Sequence, residues 1–426
     1  MTLGCKVNQY DTAAMEEILQ REGFETVDFS EKADLYVVNT CTVTNIADRK
    51  SRQMIHRARQ MNPKAKICVA GCLAQRDAEA ILQMEGVSAV IGAKDRAEIG
   101  RIVQQIFAEE GQVNAVGSIR KERSFEPLTI SKSDEKIRAN VKICEGCENF
   151  CSYCIIPFAR GPVRSRPLED ILAEGDRLAK SGVKEVVLTG IHIGSYGKDW
   201  GYQRRLIDVI EAMEQVEGLE RIRLGSLEPS MITEEFCARA KEGGKLCPHF
   251  HLSLQSGSAT VLQRMNRRYT PEEYAMAVER LRHSFENPAI TTDVICGFPQ
   301  ETEEEHRETL AFLRRIGFAK VHVFPYSQRE GTRAVAMSGQ VPMAIRKARA
   351  AEVAQIGAET AQRYLEGFVG KRELVLLEEL LPDGRAVGHN ERYCMVKGRG
   401  LPNTMVTIEI GGVEEGALIE KNSEEV

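Results

Sequence analysis

The chain has 426 residues, 42% of them hydrophobic and 28% charged, with a formal net charge of −5. That length argues for two or three domains rather than one core. The slight acidity excludes a globally polybasic nucleic-acid binder and leaves any such contact to local patches. No apolar run is long enough to span a bilayer, and Met1–Asn8 lacks a signal peptide's apolar core. The expectation is a cytoplasmic protein with no membrane partner.

Residues 1–110 read as an α/β domain. Ala14, Ile18 and Leu19 share one face of a helix predicted over Tyr10–Arg21, with Asp11 or Thr12 as its cap. Short apolar runs at Asp34–Asn39, Lys66–Ala70 and Val87–Ile91 predict strands separated by helices, hence a parallel sheet. Cys41 follows the first run and Cys72 the second. Loops that follow parallel strands gather at one sheet edge, so these two sulfurs can be neighbours. Cys5 would join them if a strand preceded it, but Met1 stands so close that this strand is missing or very short. Spacing alone leaves two readings open, a three-thiolate site or three unrelated buried thiols.

Residues 111–136 are polar and aperiodic and read as a linker. From 137 to 363 the alternation resumes. Strands are predicted at Ile137–Ile143, Lys184–Leu188, Arg221–Leu224, His249–Ser253, Ile290–Ile295 and Lys320–Phe324. Helices are predicted between them at Glu169–Ser181, Gln203–Val216, Pro271–Phe285 and Glu303–Ile316. Six βα units suit a partial (β/α)6 barrel whose strand ends converge on one mouth. The Gly-rich and polar motifs fall at those ends: Thr189-Gly190, Gly225–Pro229, Leu254–Ser258, Cys296–Thr302 and Pro325–Ser327. His249 and His251 share one strand face and read as barrel lining.

The first of these mouth loops is Cys147-Glu-Asn-Phe-Cys151-Ser-Tyr-Cys154. Three thiolates at CxxxCxxC spacing can grip one corner of a four-iron cluster and leave one iron for a small molecule. Cys144 upstream would make four thiolates, as a zinc staple or a saturated cluster needs. The succession of polar loops at one mouth favours the open cluster, because a zinc staple gives no reason for it. The chain has twelve cysteines, in a compartment that disfavours disulfides. Cys68, Cys237, Cys247, Cys296 and Cys394 read as small core hydrophobes.

A helical connector at Ala348–Arg363 leads to residues 366–426, a small all-β, OB-like appendage. Its strands are predicted at Arg372–Glu378, Arg385–Val396 and Asn403–Ile410, with a frayed tail at Ser423–Val426. The appendage carries 7 Lys/Arg against 12 Asp/Glu, poor for phosphate binding. Residues 41–66 instead hold 7 Lys/Arg against Asp48. This second stretch is the better candidate to steer RNA, extended by Arg160, Arg164, Arg166 and Arg264–Arg268.

CxxxCxxC with Tyr153 before its last cysteine resembles the signature of radical S-adenosylmethionine enzymes. The whole chain resembles their methylthiotransferase family, through Thr2–Asn8, Asn39–Thr44, Ala70–Cys72, Gly146–Pro157, Leu188–Ile191, Leu252–Ser258 and Gly297–Thr302. Leu3-Gly-Cys-Lys-Val-Asn-Gln-Tyr-Asp11 is most similar to the subgroup acting on N6-threonylcarbamoyladenosine beside the tRNA anticodon. The resemblance implies two 4Fe-4S clusters, an auxiliary one held by Cys5, Cys41 and Cys72 and one held by Cys147, Cys151 and Cys154 that binds S-adenosylmethionine. It implies a radical step at adenine C2 (tRNA position 37) and an appendage that is a TRAM domain gripping tRNA at the anticodon stem-loop. It also implies an electron donor such as flavodoxin or ferredoxin, and a sulfur source. Thr189 and Gly190 would meet the methionyl amine of S-adenosylmethionine, and Glu228, Ser253 and Gln255 its ribose or carboxylate. Gln300 stands where the family usually has Gly. The rival functions are methylthiolation of a ribosomal-protein aspartate and a non-catalytic iron–sulfur or zinc RNA-binding protein.

Overall fold

The structure, a computed structural model, describes residues 1–109, 111–131 and 137–421. Four parallel strands in sequence order form the N-terminal sheet: β1 Leu35–Thr40, β2 Lys66–Gly71, β3 Val87–Ile91 and β4 Val113–Ala115. A short extension precedes β1 in space. Thr2 bridges Asn39 in parallel, the Leu3 amide donates to the Asn39 carbonyl (2.9 Å) and the Asn39 amide to the Met1 carbonyl (3.0 Å). The strand expected to be missing or very short is thus present as a single bridge. Helix α1 (Lys6–Arg21) starts a turn earlier than Tyr10, because its apolar face continues upstream through Val7 and Cys5 takes the extended conformation of an N-cap.

The predicted linker is not a bare tether. Its first residues form β4, and Ile119, Leu128 and Ile130 are buried. Sequence reasoning missed this because three apolar residues spaced irregularly carry no period. Residues 132–136 of that stretch lie outside the described residues.

Six strands build the open barrel: β5 Arg138–Glu145, β7 Glu185–Gly190, β8 Arg221–Leu224, β9 His249–His251, β10 Ala289–Cys296 and β11 Lys320–Pro325; β6 (Arg164–Ser165) adds antiparallel to β5. The bridges Ile222–Leu246 and Leu227–Leu252 join the two half-sheets, and the sheet stays open between β11 and β5. Alternation sorts the faces. Val186, Leu188, Ile222, Leu224, Phe250 and Val294 enter the main core with the helices. The intervening residues face a polar lumen, among them His249 and His251 as expected from their shared face.

The helix Met343–Glu366 leads to a closed five-stranded barrel, ordered β12-β13-β14-β16-β15. Its strands are β12 Arg372–Leu380, β13 Ala386–Asn390, β14 Met395–Gly398, β15 Met405–Glu414 and β16 Ala417–Glu420. The predicted strand Arg385–Val396 is split by a turn in which Tyr393 takes φ +60°. The four-residue β16 was too short to read. The predicted frayed tail lies outside the described residues.

This barrel caps the floor of the larger one. Arg221 donates to the carbonyls of His389 (3.0 Å) and Leu374 (2.6 Å), and Arg223 to that of Glu391 (2.9 Å). Tyr393 lies stacked on His389 (4.3 Å), with the Arg223 and Arg138 guanidiniums 4.6 and 5.1 Å from its ring centre. Glu185 joins Arg138 (2.5 Å) to Arg223 (2.9 Å) beneath the lumen.

Candidate active site

The loop after β5 carries Cys147, Cys151 and Cys154 and is held in shape by its neighbours. The Ser152 amide donates to the Met265 carbonyl (2.9 Å), and Asn266 Nδ2 donates to the carbonyls of Asn149 (3.2 Å) and Phe150 (3.0 Å). Gly146 has φ +76°, and a Cβ there would strike the Pro162 carbonyl, so only glycine opens this loop. Tyr153 packs against an apolar cluster that includes Met265, Phe298 and Tyr326, so its ring anchors the loop. Burial pushes the Cys147 thiol up to about 11 and Cys154 to about 12, and the charge of Cys151 adds to both. Arg267 Nη1 donates to Cys151 Sγ at 3.3 Å.

Cys144 belongs to the core packing. It is buried in the main core, its sulfur 3.5 Å from the His192 carbonyl, and its close packing against Gly190 leaves no room for a Cβ there. Among the described residues no three His, Cys, Asp or Glu side chains are drawn in around a single ion.

The second trio is assembled from three loops at one sheet edge. Cys5 caps α1, Cys41 follows β1 and Cys72 opens the helix after β2. The charges of Cys5 and Cys72 reach Cys41, whose thiol is pushed up to about 11, mainly by burial. Burial also raises Cys72, with Cys5 contributing. Gly4, at φ +103°, lies so close that an added Cβ would sit 2.8 and 2.9 Å from Cys41 Cβ and Sγ.

Arg160, fully buried, donates through Nε to Cys72 Sγ at 3.0 Å. Its Nη1 reaches Asp11 (3.0 Å) and Glu145 (2.9 Å), and Lys142 and Arg96 bind the same two carboxylates. All five side chains are 0% exposed. Burial alone would raise both carboxyls, but the three cations hold them below the usual range. The network ties the N-terminal unit to the barrel directly beside the sulfurs.

The polar residues singled out at the mouth each have their own local partners. Thr189 and Gly190 end β7. Glu228 Oε1 accepts from Asn149 (2.9 Å) and lies 2.8 Å from Arg267. Burial would raise this carboxyl, yet His192, Arg267 and Arg268 together pull it down to about 2. The Ser253 carbonyl accepts from the Tyr269 hydroxyl (2.5 Å). Gln255 holds φ +70°, its amide donating to the Asp293 carbonyl at 2.8 Å. Gln300, at φ +65°, occupies a conformation that favours glycine.

The expected basic patch needs correction. Arg160, Arg164 and Arg166 are buried and paired with Asp11, Glu145 and Glu174, so they contact no RNA. Arg264 pairs with Glu305 (2.6 Å), and Arg267 turns inward to Cys151 and Glu228. Sequence reasoning missed these roles because an arginine run looks the same whether its partners are phosphates or buried carboxylates. On α2 (Asn45–Met61) and the loop that follows it, Arg49, Lys50, Arg57 and Lys64 remain exposed, while Arg52 and Arg59 pair with Asp77 and Glu85.

Two family models match the chain. One, described as uncharacterized protein family UPF0004, covers residues 1–92, and the Radical SAM superfamily covers residues 141–313. The threonylcarbamoyladenosine tRNA methylthiotransferase MtaB of Bacillus subtilis is 41% identical over 94% of this chain and 89% of its own. The chain belongs to the radical S-adenosylmethionine methylthiotransferase family. The MtaB of Aquifex aeolicus is 39% identical over 89% of this chain and 93% of its own. A tRNA-2-methylthio-N(6)-dimethylallyladenosine synthase of Thermodesulfovibrio yellowstonii is 35% identical over 93% and 91%. The fold of this methylthiotransferase is shared with the radical S-adenosylmethionine methyltransferase TsrM of Kitasatospora setae (TM-score 0.58, 16% identity, 76% of this chain and 74% of that one). The chain is therefore an enzyme built for an iron–sulfur cluster and S-adenosylmethionine.

Proposed function

We propose that this enzyme adds a methylthio group to C2 of N6-threonylcarbamoyladenosine at position 37 of tRNA. The carrying observation is the pairing of two cysteine trios on one fold, each with a guanidinium donating to one sulfur: Arg267 to Cys151 and Arg160 to Cys72. Thiolates are the soft donors iron–sulfur clusters require, and N–H···S bonds stabilise the charge such clusters carry. The trios fit two 4Fe-4S clusters, with Cys147, Cys151 and Cys154 holding the one that binds S-adenosylmethionine and Cys5, Cys41 and Cys72 the auxiliary one. When bound, the cofactors supply one-electron cleavage of a sulfonium and a transferable methylated sulfur.

The protein's own part is positional. Arg267 bridges Cys151 and Glu228, so a cluster ligand and a ligand-binding carboxylate move as one body. Glu228, ionised at any working pH, suits a ribose hydroxyl or an amine. Thr189 and Gly190 suit the methionyl amine, and Ser253 and Gln255 the remaining polar edge. The packed helices behind β5–β11 keep water out of the lumen from the outside. Residues 1–110 form the domain of the auxiliary site, 137–363 the radical core and 366–426 a TRAM domain. The exposed cations of α2 serve the anticodon stem-loop. A reductant such as flavodoxin or ferredoxin and a sulfur source complete the system.

The test is nucleoside mass spectrometry of tRNA from cells with and without the gene, joined to anaerobic reconstitution. The reading requires 2-methylthio-N6-threonylcarbamoyladenosine to disappear with the gene, and about eight irons per chain. An unchanged level of that nucleoside overturns it.

A further inference from the structure

Several cations line the lumen between the cysteine loops and the floor. Arg138 and Arg223 share Glu185, Arg138 also pairs with Glu378 (2.8 Å), and Arg221 lies 3.9 Å from the Glu185 carboxylate. Lys6 adds a fourth cation. It follows Cys5 directly, in the first turn of α1, a helix with no acidic residue in that turn. One turn on, Gln9 lies 3.4 Å from Asn140, on the lumen face of β5. Solvent reaches Lys6, yet protein surrounds it closely enough for the charges of Arg223, Arg138 and Glu185 to act on it, which places it in an open cleft. Among the described residues its ammonium has no hydrogen bond and no ion pair.

A second observation points the same way. Lys6 also acts on His249, whose lumen-facing ring is held neutral, by burial first and then by Arg223 and His251. His249 Nδ1 is buried with no hydrogen-bond partner. A buried ring nitrogen without a partner is costly unless a ligand completes it, and the solvated Lys6 ammonium stands ready to take an anion beside it.

We infer that Lys6 is a specificity-determining residue that binds the carboxylate of the threonylcarbamoyl group on the target adenine. The inference rests on the proposed substrate. A threonine joined through a carbamoyl to N6 ends in a carboxylate and a hydroxyl. C2 and C6 are separated on the purine ring, so an adenine offering C2 to the cysteine loops points its N6 substituent into the space beyond them. There the carboxylate meets Lys6 in a field already positive from the guanidiniums, and the hydroxyl suits His249. An apolar N6 substituent would leave Lys6 desolvated and unpaired, so the same residue also discriminates against hydrocarbon-modified adenines.

The experiment uses the full reconstituted chain and anticodon stem-loop RNAs bearing threonylcarbamoyladenosine, its methyl ester, or plain adenosine at one position. Fluorescence anisotropy gives the binding ratios, and product analysis gives kcat/KM. Wild type is expected to prefer the free carboxylate over the ester by about 10- to 100-fold, the range for losing a charged hydrogen bond. Lys6→Met should erase that preference and Lys6→Arg restore most of it, with iron content unchanged in both. Equal wild-type binding of acid and ester overturns the inference, whether or not the variants fold. Discrimination surviving in an iron-loaded Lys6→Met protein overturns it too. If wild type forms product from threonylcarbamoyl RNA in either case, the substrate assignment stands alone; if it forms none, both fall.

Discussion

The two cysteine trios reach the same number of thiols by opposite routes. Cys147, Cys151 and Cys154 sit in one loop of eight residues, shaped by local backbone hydrogen bonds and one obligatory glycine. Cys5, Cys41 and Cys72 come from three loops and meet only because the strands before them are parallel and in register. The first trio is held by a turn and the second by a fold. The second leans on five fully buried charged side chains, where the first has the Arg267–Glu228 pair. A site written locally survives damage elsewhere, whereas a site assembled at a sheet edge is as fragile as the packing beneath it.

The sharpest way to break the comparison is to remove thiols. Ala at Cys147, Cys151 or Cys154 should abolish deoxyadenosine formation. Ala at Cys5, Cys41 or Cys72 should leave that cleavage intact and abolish only methylthio product. Loss of cleavage from both sets would show one shared site.

The next effect is on stability. Asp11→Ala strands Arg96, Lys142 and Arg160 around one fewer carboxylate, a loss of about 3–5 kcal/mol for a broken buried pair. Denaturant unfolding should show it, and iron analysis should show the Cys5 site depleted before the Cys147 site. Gly4→Ala should act alike but more weakly, about 1–3 kcal/mol, because its Cβ would press on Cys41.

Subtler still, Arg160→Gln and Arg267→Gln each remove one positive charge beside one thiolate. Each should lower the midpoint potential of its own cluster and leave the other unchanged, as read by redox-poised EPR. A shift in both, or in neither, would refute the one-to-one pairing. Smallest of all, Ala at Arg49 and Lys50 together should leave the melting temperature within about 2 °C, as for surface changes generally. It should weaken stem-loop binding and flatten its salt dependence by about two phosphate contacts.

What the sequence disclosed follows the same division. The CxxxCxxC loop was legible because its spacing is local, whereas strand–helix alternation brought only Cys41 and Cys72 to one sheet edge and left Cys5 to the family resemblance. Period-two and period-3.6 patterns placed the barrel strands within a residue or two. The roles of the arginines were not legible. Arg160 finds Asp11 and Arg267 finds Cys151 across more than a hundred residues of chain, and nothing in their neighbours names those partners. The docking of the appendage was equally hidden, since Tyr393 and Arg223 reveal their meeting only in three dimensions.

That meeting makes the appendage something other than a detachable handle. With Tyr393 seated as a cork between two guanidiniums, pulling on the small barrel pulls on Glu185 and thereby on the strand that ends in Thr189 and Gly190. A displacement of the small barrel is mechanically continuous with the rim formed by Thr189 and Gly190. Cutting the chain before residue 366 would not free an independent catalytic core. It would unstop the vessel in which the reaction is run.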